Sequence, residues 1–224
     1  QAGKSVFVEK PLCLKILELN SLNEIHTGKQ TLMVGFNRRF SNFAKELKLI
    51  LDRFNSPKNF VYTCNAGFIP HDNWIQDNNV GGGRMIGEAC HFVDLIRYLS
   101  GSEIVDLKIL TSLNSNFGSD NFSLQLQLSD GSLANINYFS NGNKSFSKEK
   151  IEVFTSGKIF QLDNFRSLKS WGEKLRRNKL YLRQDKGQVN CAEAFINSLY
   201  NNEQSPIPFN EILEVHKFLL GIQK

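Results

Sequence analysis

The sequence predicts a short α/β segment over residues 1–56, followed by an α+β domain over residues 57–224. The second part is expected to carry a large, mostly antiparallel open sheet with helices on one face. Three observations support this. The first fifty-odd residues alternate apolar runs with helix-period stripes. After Pro57 come strand-like runs separated by turn signals, broken by one long helical stretch. Two further helical stretches close the chain.

In order, Val6 to Val8 reads as a strand and Leu12 to His26 as a helix with an apolar stripe of Leu14, Leu17, Leu19, Leu22 and Ile25, stopped by Thr27-Gly28. Leu32 to Phe36 reads as a buried strand, and Asn42 to Arg53 as an amphipathic helix that Ser41 can cap. Such a βαβα run joins parallel strands by helical crossovers, and it is too short for a complete doubly wound domain. Beyond Pro57, Asn59 to Asn65 is strand-like, Gly67 to Gly83 a long irregular loop, and Arg84 to Leu99 a helix that stops at Ser100-Gly101. Ile104 to Thr111, Phe122 to Leu128, Leu133 to Phe139, Lys150 to Thr155 and Lys158 to Leu162 follow as strands. The last two are separated only by Ser156-Gly157, which predicts a tight hairpin. Gln188 to Tyr200 and Asn210 to Leu220 are the closing helices.

Hydrophobic residues make up 41% of the 224 and charged residues 22%, an ordinary globular balance. No apolar stretch approaches a membrane span and no signal peptide is visible, which predicts a cytoplasmic protein with no membrane partner. Cys13, Cys64, Cys90 and Cys191 are widely spaced without C-x-x-C, so reduced buried thiols are expected and no metal site. Net charge is +5. The basic run Lys169 to Arg183 reads as a solvated connector rather than a nucleic-acid surface, or as an attraction for an anionic ligand. No nucleic-acid partner is expected. The chain has no initiator Met and its first strand starts almost at once, which leads to the expectation that it is the later part of a larger protein.

Chemistry concentrates in two places. Glu9-Lys10-Pro11 follows the first strand, at the end where open α/β sheets place ligands, so Lys10 can present an ammonium to that crevice. The second is Gly81-Gly82-Gly83 leading into a helix on which Gly87, Glu88, His91 and Asp94 recur at spacings of three and four and share roughly one face. A histidine beside a carboxylate can act as a general base near neutral pH; a hydrogen-bonded structural histidine is the plainer alternative. The spacing G-x-G-x-x-G of a dinucleotide fingerprint is absent.

Taken together, Glu9-Lys10-Pro11, Gly35-Phe-Asn-Arg-Arg-Phe40 and the glycine-led helix ending in His91-Phe-Val-Asp94 resemble the Gfo/Idh/MocA oxidoreductases, across about the first hundred residues. The stretch from His71-Asp-Asn-Trp74 through Gln184-Asp-Lys-Gly187 is similar to a branch found in polysaccharide-biosynthesis contexts. The resemblance implies that residues 1–56 are the remnant of a Rossmann dinucleotide-binding domain, and residues 57–224 a domain for substrate binding and oligomerisation. It implies NAD- or NADP-dependent hydride transfer at a hydroxyl of a sugar, sugar nucleotide or cyclitol. By position, Lys10 and His91 would be catalytic, with Glu88 supplying the carboxylate that many members carry at the position of Gly87. Glu9, Lys10, Pro11 and Arg38 would border the cofactor. His71 and Trp74 would wall the substrate, and Lys186 would meet an acidic substrate group. A homo-oligomer through the open sheet is expected, as is weak or absent cofactor binding and turnover by this chain alone. The rival is a non-catalytic sugar-binding or interaction domain of the same descent.

Overall fold

In a computed structural model the described residues are 2–70, 72–77, 80–112, 120–175 and 181–221. β1 (Val6–Val8) and β2 (Leu32–Val34) pair in parallel with Val8 opposite Val34, joined by α1 (Ile16–Ile25). The helix begins later than its apolar stripe suggests. Leu12 N–H donates to His216 Nε2 at 2.9 Å, which ties the segment after Pro11 to the last helix. The Glu18 carboxylate then accepts from the N–H groups of Leu14 and Lys15, satisfying donors that a helix start leaves free. β2 likewise ends before Phe36, because Asn37–Phe40 turn into a short 3-10 helix. Ser41 Oγ accepts from Ala44 N–H at 3.1 Å and opens α2 (Asn42–Leu51), as its residue type predicts.

The second sheet contains β3 (Asn59–Asn65), β4 (Ile104–Thr111), β5 (Phe122–Leu128), β6 (Leu133–Phe139), β7 (Glu149–Thr155), β8 (Lys158–Asp163) and β9 (Ser167–Trp171). Their order is β4-β5-β6-β3-β7-β8-β9, and β3 with β6 is its parallel pair. Ser156 and Gly157 both take positive φ, 50° and 71°, which makes the β7–β8 connection the tight hairpin expected. β9 is not apparent in the sequence: Leu168 is its one buried side chain, and the strand lies at the sheet edge.

Alternation along each strand sends Phe60, Tyr62, Leu124, Leu126, Ile136, Tyr138, Ile151, Val153, Phe160 and Leu162 to one face, where all are buried. Full burial of a large apolar side chain stabilises by about 1.5–3 kcal/mol, so this face and the helices on it form the main core. α3 (Gly83–Ser100) is buried along most of its length. The 3-10 turn, α2 and α5 (Phe209–Gly221) pack against it, and α4 (Gln188–Tyr200) packs against the 3-10 turn. Among the described residues the opposite sheet face is uncovered: Leu133, Phe154 and Trp171 are exposed on it. All four cysteines are free and buried. Among the described residues no helix is long and apolar enough to cross a membrane.

Candidate active site

Lys10 stands just past the carboxyl end of β1, before a cis peptide to Pro11. Its Nζ donates to Gly87 O and to Glu88 Oε1, each at 2.7 Å, so the strand end is bonded directly to α3. Glu9 is exposed at the same strand end, with its carboxylate against Gly35, the residue after β2; a Cβ at position 35 would lie 3.1 Å from Glu9 Oε2.

His91 lies on the next turn of α3 and is buried, edge-on to Phe36. Its Nδ1 has no hydrogen-bond partner among the described residues. The carboxylates expected beside it are engaged elsewhere: Glu88 by Lys10, and Asp94 by Arg39 through two hydrogen bonds at 3.0 and 2.5 Å. Arg84, one turn earlier, donates to Tyr138 Oη and Gly67 O. Burial, and then the positive charges of Arg38 and Lys10, hold the His91 imidazole well below its ordinary value near 6.5. The ring is therefore neutral at physiological pH.

A third group adjoins these two. Glu149, the first residue of β7, has a side chain with no exposed surface. It accepts Arg38 Nε at 2.7 Å and Nη2 at 2.9 Å, Tyr62 Oη at 2.5 Å and Lys186 Nζ at 2.5 Å. Burial alone would raise the pKa of this carboxyl. Arg38, and then Lys186, outweigh that and hold it well below the usual carboxylate range. Tyr62 is pushed the other way by burial and by Glu149, and keeps its proton.

Lys186 is thus a partly buried ion-pair partner, at 13% side-chain exposure. The turn before α4 places it. Asn37 Nδ2 donates to Lys186 O at 2.8 Å, and Gly187 N–H donates to Asp185 Oδ1 at 2.9 Å. Gly187 takes φ +79°, and a Cβ there would meet Ser41 N at 2.4 Å.

Of the other expected residues, Arg38 is 6% exposed and committed to Glu149. Trp74 stands in a short 3-10 turn, 65% exposed as a residue. His71 lies outside the described residues. Glu149 and Tyr62 complete the cluster, and no local motif marks either one.

Residues 55–160 match the model of the GFO/IDH/MocA C-terminal domain. Over those residues the chain is similar to the Gfo/Idh/MocA family. Inositol 2-dehydrogenase 2 of Saccharopolyspora erythraea is 30% identical over 154 residues, a match that covers 63% of this chain and 42% of that protein. The chain therefore spans less than half the length of that family relative. The aldose–aldose oxidoreductase of Caulobacter crescentus, solved with glycerol, superposes with a TM-score of 0.80 at 17% identity, over 99% of this chain and 69% of that one. GenD2 from gentamicin A biosynthesis, solved with NAD, superposes with a TM-score of 0.74 at 17% identity, over 97% and 68%. At these identities the two structures speak for the fold alone.

Proposed function

We propose that this chain is the substrate-facing part of an NAD- or NADP-dependent dehydrogenase acting on a hydroxyl of a sugar, sugar nucleotide or cyclitol. The observation that carries the reading is the meeting of Lys10, at the end of a parallel strand, with the turn of α3 that leads into a buried neutral His91. On this reading residues 1–56 are the closing portion of the nucleotide-binding domain, and the remainder shapes the substrate site.

Glu9 supplies a carboxylate acceptor and Lys10 an ammonium donor from the same strand end. A ribose diol, which both donates and accepts, fits that pair. A nicotinamide cofactor, when bound, supplies the hydride acceptor. The protein's own residues do the rest. Lys10 donates its remaining N–H to the reacting oxygen and favours its anionic form. The neutral His91 imidazole takes up the hydroxyl proton, a role worth about 10²–10⁴ in rate. Trp74 can close over the sugar and exclude water.

Charge refines the substrate class. Within the Glu149 cluster, apart from Glu9, Lys10 and Glu88 at the strand end, Arg38 and Lys186 share a single carboxylate, so that corner carries one surplus positive charge. That surplus favours a substrate with an acidic group, such as a uronic acid. The test is an assay of the full-length protein with NAD+ and NADP+ against cyclitols, neutral hexoses and hexuronates, following reduced cofactor. Turnover with at least one polyol is expected, with hexuronate preferred. No reduction with any of them would contradict the reading and favour a non-catalytic sugar-binding domain.

A further inference from the structure

We propose that Glu88 is the positioning residue of Lys10, and that the glycine loop before α3 makes position 88, rather than position 87, the place from which a carboxylate does so. The inference rests on the dehydrogenase reading for its catalytic consequence, but its geometry stands apart from it.

A lysine side chain has four rotatable bonds, and an unpaired one samples many rotamers. Here two of the three ammonium protons are committed, to Gly87 O and to Glu88 Oε1 at 2.7 Å each. The third is left for a ligand. The pair is neither buried nor free, with side-chain exposures of 18% for Lys10 and 28% for Glu88, so it lies at the lip of the site.

Position 87 is closed to a side chain. A Cβ there would come within 2.9 Å of Gly81 O, a backbone atom that cannot swing aside. The loop is held in turn, since Gly81 N–H and Gly82 N–H both donate to Asp77 O, at 2.8 and 3.1 Å. The absent side chain at 87 therefore allows the loop to seat on the helix, and the carboxylate comes from the next residue. Glu88 acts on the reaction through Lys10, whose charge is among those that keep His91 neutral.

Three variants of the full-length protein test this. Glu88→Gln keeps the shape and removes the charge; it is expected to lower kcat by about 10- to 100-fold, with much less effect on KM, because a displaced donor costs orientation rather than binding. Glu88→Asp is expected to recover part of that loss. The exchange Gly87→Asp with Glu88→Gln is expected to recover none, and to lower Tm. Wild-type kcat in Glu88→Gln, or recovery by the exchange, would overturn the proposal.

A readout independent of turnover is the rate at which acetic anhydride acylates Lys10, followed by peptide mass spectrometry. Glu88→Gln is expected to react several-fold faster than wild type, and equal rates would overturn the pairing. If the wild type oxidises no polyol, the dehydrogenase reading fails, while the acylation rates still decide whether Glu88 holds Lys10.

Discussion

Glu149 joins more separate segments of this site than any residue the sequence singles out. Its carboxylate binds side chains that lie 111, 87 and 37 positions away. Nothing local announces it, since a glutamate opening a strand-like run reads as a solvated end. Lys10 and His91 are legible because each sits in a short motif with fixed spacing. Glu149 and Tyr62 are defined only by what the fold brings to them. Residue type did suggest a carboxylate for His91, but the cations of neighbouring segments took both candidates. Glu149→Gln leaves the buried Arg38 and the partly buried Lys186 without their counter-charge. Breaking a buried pair in this way costs about 3–5 kcal/mol, an expected loss that urea denaturation measures. A loss under about 1 kcal/mol would mean that solvent reaches the cluster.

Elements with a full-length periodic pattern are the ones the sequence reveals. β3, β5 and β6 alternate strictly and carry the expected limits, and α4 does as well. Departures have identifiable causes. α1 starts late because Leu12 is bonded to His216 of α5, a partner no local pattern shows. β9 is short, polar and at an edge, so burial leaves almost no periodic mark on it. The turn before α4 is the element-scale device that delivers Lys186. Gly187→Ala would need a positive φ for a residue with a Cβ and would drive that Cβ into the backbone of Phe40 and Ser41. The expected outcome is a loss of several degrees in Tm, read by calorimetry, together with a weaker preference for hexuronates as Lys186 moves. An unchanged Tm would place the turn elsewhere in solution.

At the scale of the whole molecule, the uncovered sheet face is the feature that the known helices do not explain. One row across it contains Leu133, Asn59, Phe154, Ile159 and Trp171 in register, with Leu133, Phe154 and Trp171 exposed. We propose a second copy of the chain as its cover, since large exposed apolar rows mark association surfaces. The double variant Phe154→Lys/Trp171→Lys is expected to sediment as a smaller species than wild type. Equal sedimentation would remove this face from the assembly.

At the same scale two distant segments, the β1 end and α3, meet, and on the proposed function they work on one hydroxyl. The most direct measurement is the pH dependence of kcat/KM for wild type and His91→Asn in the full-length protein. His91 must be neutral to accept a proton, and its ring titrates below the ordinary 6.5. Wild-type activity is therefore expected to hold as pH falls to about 6.5 and to drop as the ring protonates below it. In His91→Asn the rate is expected to fall by about 100-fold or more and to lose that acid limb. A variant that keeps wild-type turnover, or the same acid limb, would contradict the account.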